Sequence, residues 1–225
     1  MNIYLLVILS LLIVMVINAC RAKKYGFSII AVTLISFLEV VVGFLCTQIL
    51  FFVENGEWGG TSFFGAVLLL PLLVMLFSKM KCVSFAKITD LIAPSGLAMY
   101  AVNKLNCYVA GCCAGKLMRF TEYGVPVYFP SQICELSTTL VIVLILFVIE
   151  RFKIFNGKIY PIALVLYGIS RFVLNLYRDS KPFVLGLPIG NIWALISVLV
   201  GVLWIFISHR NFSINTKNFD KINEG

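Results

Sequence analysis

The chain has 225 residues, 61% of them hydrophobic and 12% charged, with a mean hydropathy of +1.02 and a formal net charge of +8. That is too apolar and too sparsely charged for a soluble domain of this length. Apolar runs of 17 or more residues recur along it, so the basic residues read as topology control in short loops, not as a nucleic-acid footprint.

The first apolar run, Ile3 to Ile17, has no basic residue before it and Arg21, Lys23 and Lys24 after it. A signal peptide carries its positive charges first. Ile17-Asn18-Ala19-Cys20 loosely resembles a lipoprotein cleavage site, but the charge order reads as an uncleaved helix whose C-terminal end is cytoplasmic. Spans are expected at roughly 3–19, 26–52, 61–78, 85–106, 131–149, 159–177 and 187–208. The second and fourth are long enough to require tilt, a break or an interfacial stretch. Pro71 and Pro94 fall inside spans, where membrane helices tolerate a kink. The expected fold class is all-α: a polytopic membrane protein of about seven transmembrane helices. It has one domain over 1–210 and a polar, disordered cytoplasmic tail over 211–225.

Loop charge fixes an orientation. With the first inter-helix loop inside, the cytoplasmic side holds Arg21, Lys23, Lys24, Lys79, Lys81, Lys87, Arg151, Lys153, Lys158, Arg210, Lys217 and Lys221, which is 12 of the 18 basic residues. Outside are Lys116, Arg119, Arg178 and Lys181, while Lys104 and Arg171 lie within spans. The bias predicts N-out, C-in, with the connections 53–60, 107–130 and 178–186 outside. A long ordered connection such as 107–130 is often functional.

Charges at membrane depth are costly and mark functional candidates. Four stand out: Glu39, Lys104, Glu135 and Arg171. Counted from the outer ends of their spans at ~1.5 Å per residue, the last three fall within roughly 10 Å of the outer boundary. Tyr167, Asn175, Ser131 and Gln132 add polar groups at that level, and Asn175 and Arg178 share the helical face of Arg171. The expectation is a polar cavity open to the outer leaflet, its cations binding an anionic lipid headgroup. The bland alternative is mutual ion pairing or snorkelling. Glu39 sits deeper and is expected to pair with Lys104 or Arg171, or to line a lipid entrance between helices.

Of the seven cysteines, Cys20, Cys46 and Cys82 read as small apolar fillers. Cys107, Cys112, Cys113 and Cys134 all fall on the outer side. They are open to three readings: small structural residues, a disulfide, or a reactive thiol near the Lys104 ammonium. No metal and no cofactor is expected, since the sole histidine, His209, is at the cytoplasmic end and the spacing lacks C-x-x-C.

Several segments, in order, resemble the bacterial prolipoprotein diacylglyceryl transferase family. They are Gly59-Gly60-Thr61-Ser62-Phe63-Phe64-Gly65, Asp90-Leu91-Ile92-Ala93-Pro94, and Asn103-Lys104-Leu105-Asn106-Cys107-Tyr108-Val109-Ala110-Gly111-Cys112-Cys113-Ala114-Gly115. Pro130-Ser131-Gln132-Ile133-Cys134-Glu135, Tyr167-Gly168-Ile169-Ser170-Arg171-Phe172, and Gly190-Asn191 with Ser197 follow. The agreement covers roughly Glu57 to Gly201.

The resemblance implies a seven-helix, multi-pass enzyme of the bacterial plasma (inner) membrane with its site towards the outer leaflet. It would move the diacylglyceryl group of phosphatidylglycerol, or another anionic lipid, to the cysteine thiol of a prolipoprotein or other secreted peptide, releasing glycerol phosphate. Arg171, Glu135, Cys107 and Cys112 are the implied catalytic residues. Lys104, Arg171, Arg178, Gln132, Tyr167 and Asn175 are those that would hold the lipid phosphate. The sequence also departs from the family pattern. Phe64 stands where the family has a histidine, Asn103 for a glycine, Lys104 for an arginine, Cys107 for an asparagine and Cys112 for a glutamate. Phe129 replaces a second histidine, and Asn175 another glutamate. A Gly-Cys-Cys-x-Gly variant occurs among family relatives. Two further functions fit the same residues: a divergent relative acting on another thiol- or lipid-bearing substrate, and a non-catalytic scaffold binding lipid or peptide.

Overall fold

The computed structural model describes residues 3–81, 84–178, 183–184 and 186–223, with side chains over 8–79, 84–152, 154–178, 184 and 186–208. Cys82 and Lys181 lie outside the described residues, as do the side chains of Lys153, His209, Arg210 and the expected tail 211–225.

Seven helices of 18 residues or more dominate the chain: α1 (Ile3–Tyr25), α2 (Ile29–Asn55), α3 (Phe63–Lys81), α4 (Phe85–Val109), α5 (Ser131–Ile149), α6 (Ile159–Leu176) and α7 (Ile189–Asn223). Among the described residues, α2, α5, α6 and the Ile189–Ser208 part of α7 are long and apolar enough to cross a membrane. Their outward faces are apolar, with Ile30 72% and Phe206 69% exposed, the inverse of a soluble surface. The chain is a multi-pass membrane protein.

Local sequence explains the boundaries. Ser28 caps α2 by accepting from the Ala31 amide at 3.2 Å, and Gly56 ends that helix in the left-handed conformation (φ 74°). Pro71 and Pro94 sit inside α3 and α4, as expected. Pro94 has no N–H to give to the carbonyl four residues back, that of Asp90. Arg21 fills the gap: its Nη2 donates to the Asp90 carbonyl at 2.7 Å and its Nη1 to that of Leu91. The same guanidinium pairs with Glu150 at 2.8 Å, and Tyr25 donates to that carboxylate at 2.7 Å. Arg21, counted above as a loop charge, is therefore buried and ties α1, α4 and the end of α5 together. The Asp90 carboxylate turns the other way and accepts from the Gly157 and Tyr160 amides, fixing the start of α6.

Close helix approaches need residues without side chains. A methyl at Gly65 would run into the Cys46 carbonyl of α2, and one at Gly168 would lie 2.8 Å from the Ala194 carbonyl of α7. The core runs through α4, α5 and α6 and includes Leu97, Leu146, Leu164 and Tyr167.

The connection between α4 and α5 is not a plain loop. It folds back as a hairpin, β1 (Leu117–Phe120) paired antiparallel with β2 (Pro126–Tyr128). The hairpin base is clipped to the end of α6, where the Lys116 amide donates to the Tyr177 carbonyl at 2.9 Å and Gly115 bridges Arg178. A second short hairpin pairs β3 (Phe183–Val184) with β4 (Leu187–Pro188).

Candidate active site

Glu135, in the second turn of α5, is the hub. It is 1% exposed and receives Lys104 Nζ from α4 at 2.7 Å, Arg171 Nη1 from α6 at 2.5 Å and Arg178 Nη1 at 3.3 Å. The Tyr100 hydroxyl donates to its Oε2 at 2.6 Å. Three cations against one carboxylate leave the cluster with an excess of two positive charges. Lys104, Glu135, Arg171 and Arg178 thus do meet, from helices far apart in the chain, as their shared level in the sequence predicts.

Several donors beside this hub are buried without a partner among the described residues: Arg171 Nε, the Tyr167 hydroxyl and Asn175 Nδ2. A buried polar group left unpaired costs about 1–3 kcal/mol, so the site holds hydrogen-bonding capacity in reserve. Tyr167 stands edge-on to Tyr100 at 5.6 Å and is flanked by Phe63 and Phe64, giving the cations an aromatic floor. Phe64 is buried in that floor at 5.5 Å from the Tyr167 ring, where a histidine would reach the same place with a basic nitrogen.

Gln132, expected to hold the lipid phosphate, is engaged with the backbone of the cysteine segment. Its Nε2 donates to the Cys112 carbonyl at 2.6 Å, while Ser131 Oγ donates to that of Cys113 at 2.6 Å. The first turn of α5 thereby holds the cysteine segment in place. That segment turns sharply: Gly111 (φ 69°) and Cys113 (φ 60°) are left-handed, and Cys113 is the only described non-glycine residue that is. The turn folds Cys112 and Cys113 back over the last turn of α4, so the sulfurs of Cys107, Cys112 and Cys113 all lie within 4.8 Å of one another. Cys112 and Cys113 are exposed, and none of the six described cysteines is in a disulfide. The Cys113 thiol is pushed down to about 5, first by its hydrogen bond with Cys107 and then, against burial, by the Arg178 and Lys104 charges. Cys134 stays outside the cluster.

Glu39 does not pair with Lys104 or Arg171. It accepts from Asn18 Nδ2 at 2.9 Å and Ser95 Oγ at 2.9 Å, because α1 and α4 offer it short polar side chains at its own depth. It also lines a small apolar cavity with Phe63, Ala66, Val67, Tyr160 and Tyr167, and Tyr167 joins that cavity to the cation cluster. Tyr100 and the Arg21–Glu150 pair went unseen in the sequence. A tyrosine inside an apolar helix gives no signal, and Arg21 and Glu150 are 129 residues apart.

Residues 2–207 match the family model described as prolipoprotein diacylglyceryl transferase. The chain belongs to the prolipoprotein diacylglyceryl transferase family. Relatives include proteins named phosphatidylglycerol–prolipoprotein diacylglyceryl transferase from Campylobacter curvus and Clostridium tetani. The first is 29% identical over 171 residues, covering 71% of this chain and 63% of the relative. The second is 22% identical over 223 residues and covers 88% of each. A Bordetella avium protein of the same name is 30% identical over 162 residues, covering 66% of this chain and 61% of its own. The chain thus spans about three fifths of the length of some family relatives and most of the length of others.

Proposed function

We propose that this chain is a phosphatidylglycerol–prolipoprotein diacylglyceryl transferase of the bacterial plasma membrane. All seven helices cross the bilayer, N-terminus outside and C-terminus in the cytoplasm, so that the cation cluster faces the outer leaflet. One observation carries the reading: two buried cations and a half-buried third converge on a single carboxylate beside unpartnered Arg171 Nε and Tyr167 hydroxyl donors. Such a cluster suits an oxyanion that brings its own charge, and charge-assisted bonds to phosphate are the strong ones. The adjoining cavity is lined almost wholly by apolar side chains, Ala66, Val67 and Leu70 among them, which supports a lipid as its carrier.

Arg171, Lys104 and Arg178 receive the headgroup phosphate, with Tyr167 and Asn175 in reach of its remaining oxygens. The lipobox cysteine attacks the glycerol carbon of the lipid. The sulfur–carbon bond forms as the carbon–oxygen bond to phosphate breaks, and glycerol phosphate leaves with the electron pair. The cations stabilise the charge that gathers on that oxygen. Glu135 has both oxygens engaged by cations and Tyr100, so it positions the cations and leaves the thiol proton to other groups. Phe64 cannot take that proton. The cysteines at the mouth, Cys107 and Cys112 among them, stand beside the cations and are the groups left to assist its removal.

The test is expression in bacteria depleted of their own transferase. Lipoproteins should regain their diacylglyceryl modification, read by mass and gel shift, and Arg171→Ala should abolish the rescue. Failure to lipidate any lipoprotein, with the protein present in the membrane, would overturn the reading.

A further inference from the structure

We propose that Cys107, Cys112 and Cys113 bind one soft divalent metal ion, zinc by the chemistry of the ligands, and leave a fourth coordination position open. The three sulfurs lie within 4.8 Å of one another. Zinc–sulfur bonds of ~2.3 Å put tetrahedral sulfurs ~3.8 Å apart, so side-chain rotation of about an ångström closes the set around an ion. An all-sulfur set selects thiophilic ions over magnesium or calcium, which take oxygen. No fourth histidine, cysteine or carboxylate joins the group among the described residues. Three protein ligands with an open place is the pattern of a working zinc site, whereas structural sites close with four.

Two independent features support this assignment. The backbone that presents the sulfurs is held from outside the cluster, by Ser131 and Gln132 on the Cys113 and Cys112 carbonyls, so the arrangement is built before any ion arrives. The charge also fits. Three thiolates around a divalent ion carry one net negative charge, and two members of the hub with an excess of positive charge are tied close to the sulfurs along the chain: Lys104 is three residues before Cys107 on α4, and Arg178 is bridged to Gly115, two residues after Cys113. The exposure of Cys112 and Cys113 gives an ion and an incoming thiol access.

The role of the open position rests on the transferase reading. An incoming cysteine thiol binds there, loses its proton to water and is held as a metal-bound thiolate, since a coordinating thiol is deprotonated outright. Its sulfur then attacks the lipid carbon, glycerol phosphate departs, and neither metal nor sulfur changes oxidation state. The ion thus supplies the deprotonation that Phe64 cannot.

The experiment titrates cobalt(II) into the full-length protein in detergent after reduction with a phosphine and removal of metal by a chelator. One equivalent should bind with a thiolate-to-cobalt charge-transfer band and tetrahedral ligand-field bands, and zinc should bleach both. Cys107→Ser, Cys112→Ser and Cys113→Ser should each weaken binding at least as much as loss of an outer partner does, ~10–100-fold, and Cys134→Ser should leave it unchanged. Absence of stoichiometric binding, or bands that survive the triple serine variant, would overturn the site. So would a disulfide between any two of the three in protein alkylated within intact cells. Lipidation is read separately in zinc-loaded and stripped protein. Cobalt bands without any lipidation keep the metal site and overturn the role of its open position, whereas lipidation without cobalt binding keeps the transferase and removes the metal.

Discussion

Glu135 compensates Lys104, Arg171 and Arg178 at once, so its charge is worth more to the fold than that of any one partner. Glu135→Gln leaves three cations unbalanced in a buried place and should cost about 3–5 kcal/mol, the scale for breaking a buried ion pair, read as a lower unfolding temperature in detergent. Arg171→Ala should act on the reaction more than on the fold. Losing one donor to a developing oxyanion costs ~10²–10³ in rate, measured with a fluorescent lipid and a lipobox peptide. Arg171→Lys should recover only part, because a lysine lacks the planar fork that grips phosphate. The hub was largely legible in the sequence, since Lys104, Glu135 and Arg171 interrupt apolar runs where a charge needs a reason. Tyr100 was not, because a tyrosine in a membrane helix is unremarkable until its hydroxyl has an address. The thiol cluster was legible only as separate letters. Its closure depends on left-handed backbone at Gly111 and Cys113, and for a cysteine that conformation carries no compositional sign.

Among elements, the corner made by α1, α4, α5 and α6 shows a polar brace replacing what Pro94 takes from its helix. Arg21 gives a hydrogen bond to the Asp90 carbonyl that the proline leaves free and an ion pair to Glu150. Burial pushes the Glu150 carboxyl up, but Arg21 and Tyr25 outweigh it and hold the group below the usual carboxylate range. A depressed carboxylate contributes stability above its unfolded value, and that contribution is lost as pH falls through the folded one. Wild type should therefore melt above Glu150→Gln by a constant margin near neutrality. The margin should shrink once pH drops below about 4.3, the unfolded glutamate value, in a differential scanning series. At the other contact, Gly168→Leu should part α6 from α7 and lower the yield of folded protein, since the Ala194 carbonyl has no room to retreat. The helices themselves were easy to read, because a membrane helix needs only an apolar run of the right length. The brace was not, as Arg21 and Glu150 each look like an ordinary interfacial charge until the fold joins them. The hairpin was missed for a similar reason: short exposed strands such as Leu117–Phe120 have no core face to impose alternation.

At the scale of the whole molecule, loop charge and hydropathy gave seven helices, and the packing gives each polar cluster its own level. The proposed orientation has a direct check. Green fluorescent protein fused to the C-terminus should fluoresce, and alkaline phosphatase inserted after Glu122 in the hairpin should be active. Dark fluorescent protein with inactive phosphatase would reverse the topology and move the cation cluster to the cytoplasmic face.

The clip between the hairpin and the end of α6 links two parts of the site mechanically. Lys116 is fastened to the Tyr177 carbonyl and Gly115 is bridged to Arg178, and Arg178 is in turn the most exposed of the three cations on Glu135. The turn that carries Cys112 and Cys113 runs straight into that clip, so it and the residue that carries the charge share one anchor. In the proposed reaction, a peptide that lifted the hairpin would pull on Arg178 in the same movement, so room for one substrate and grip on the other would be set by a single displacement.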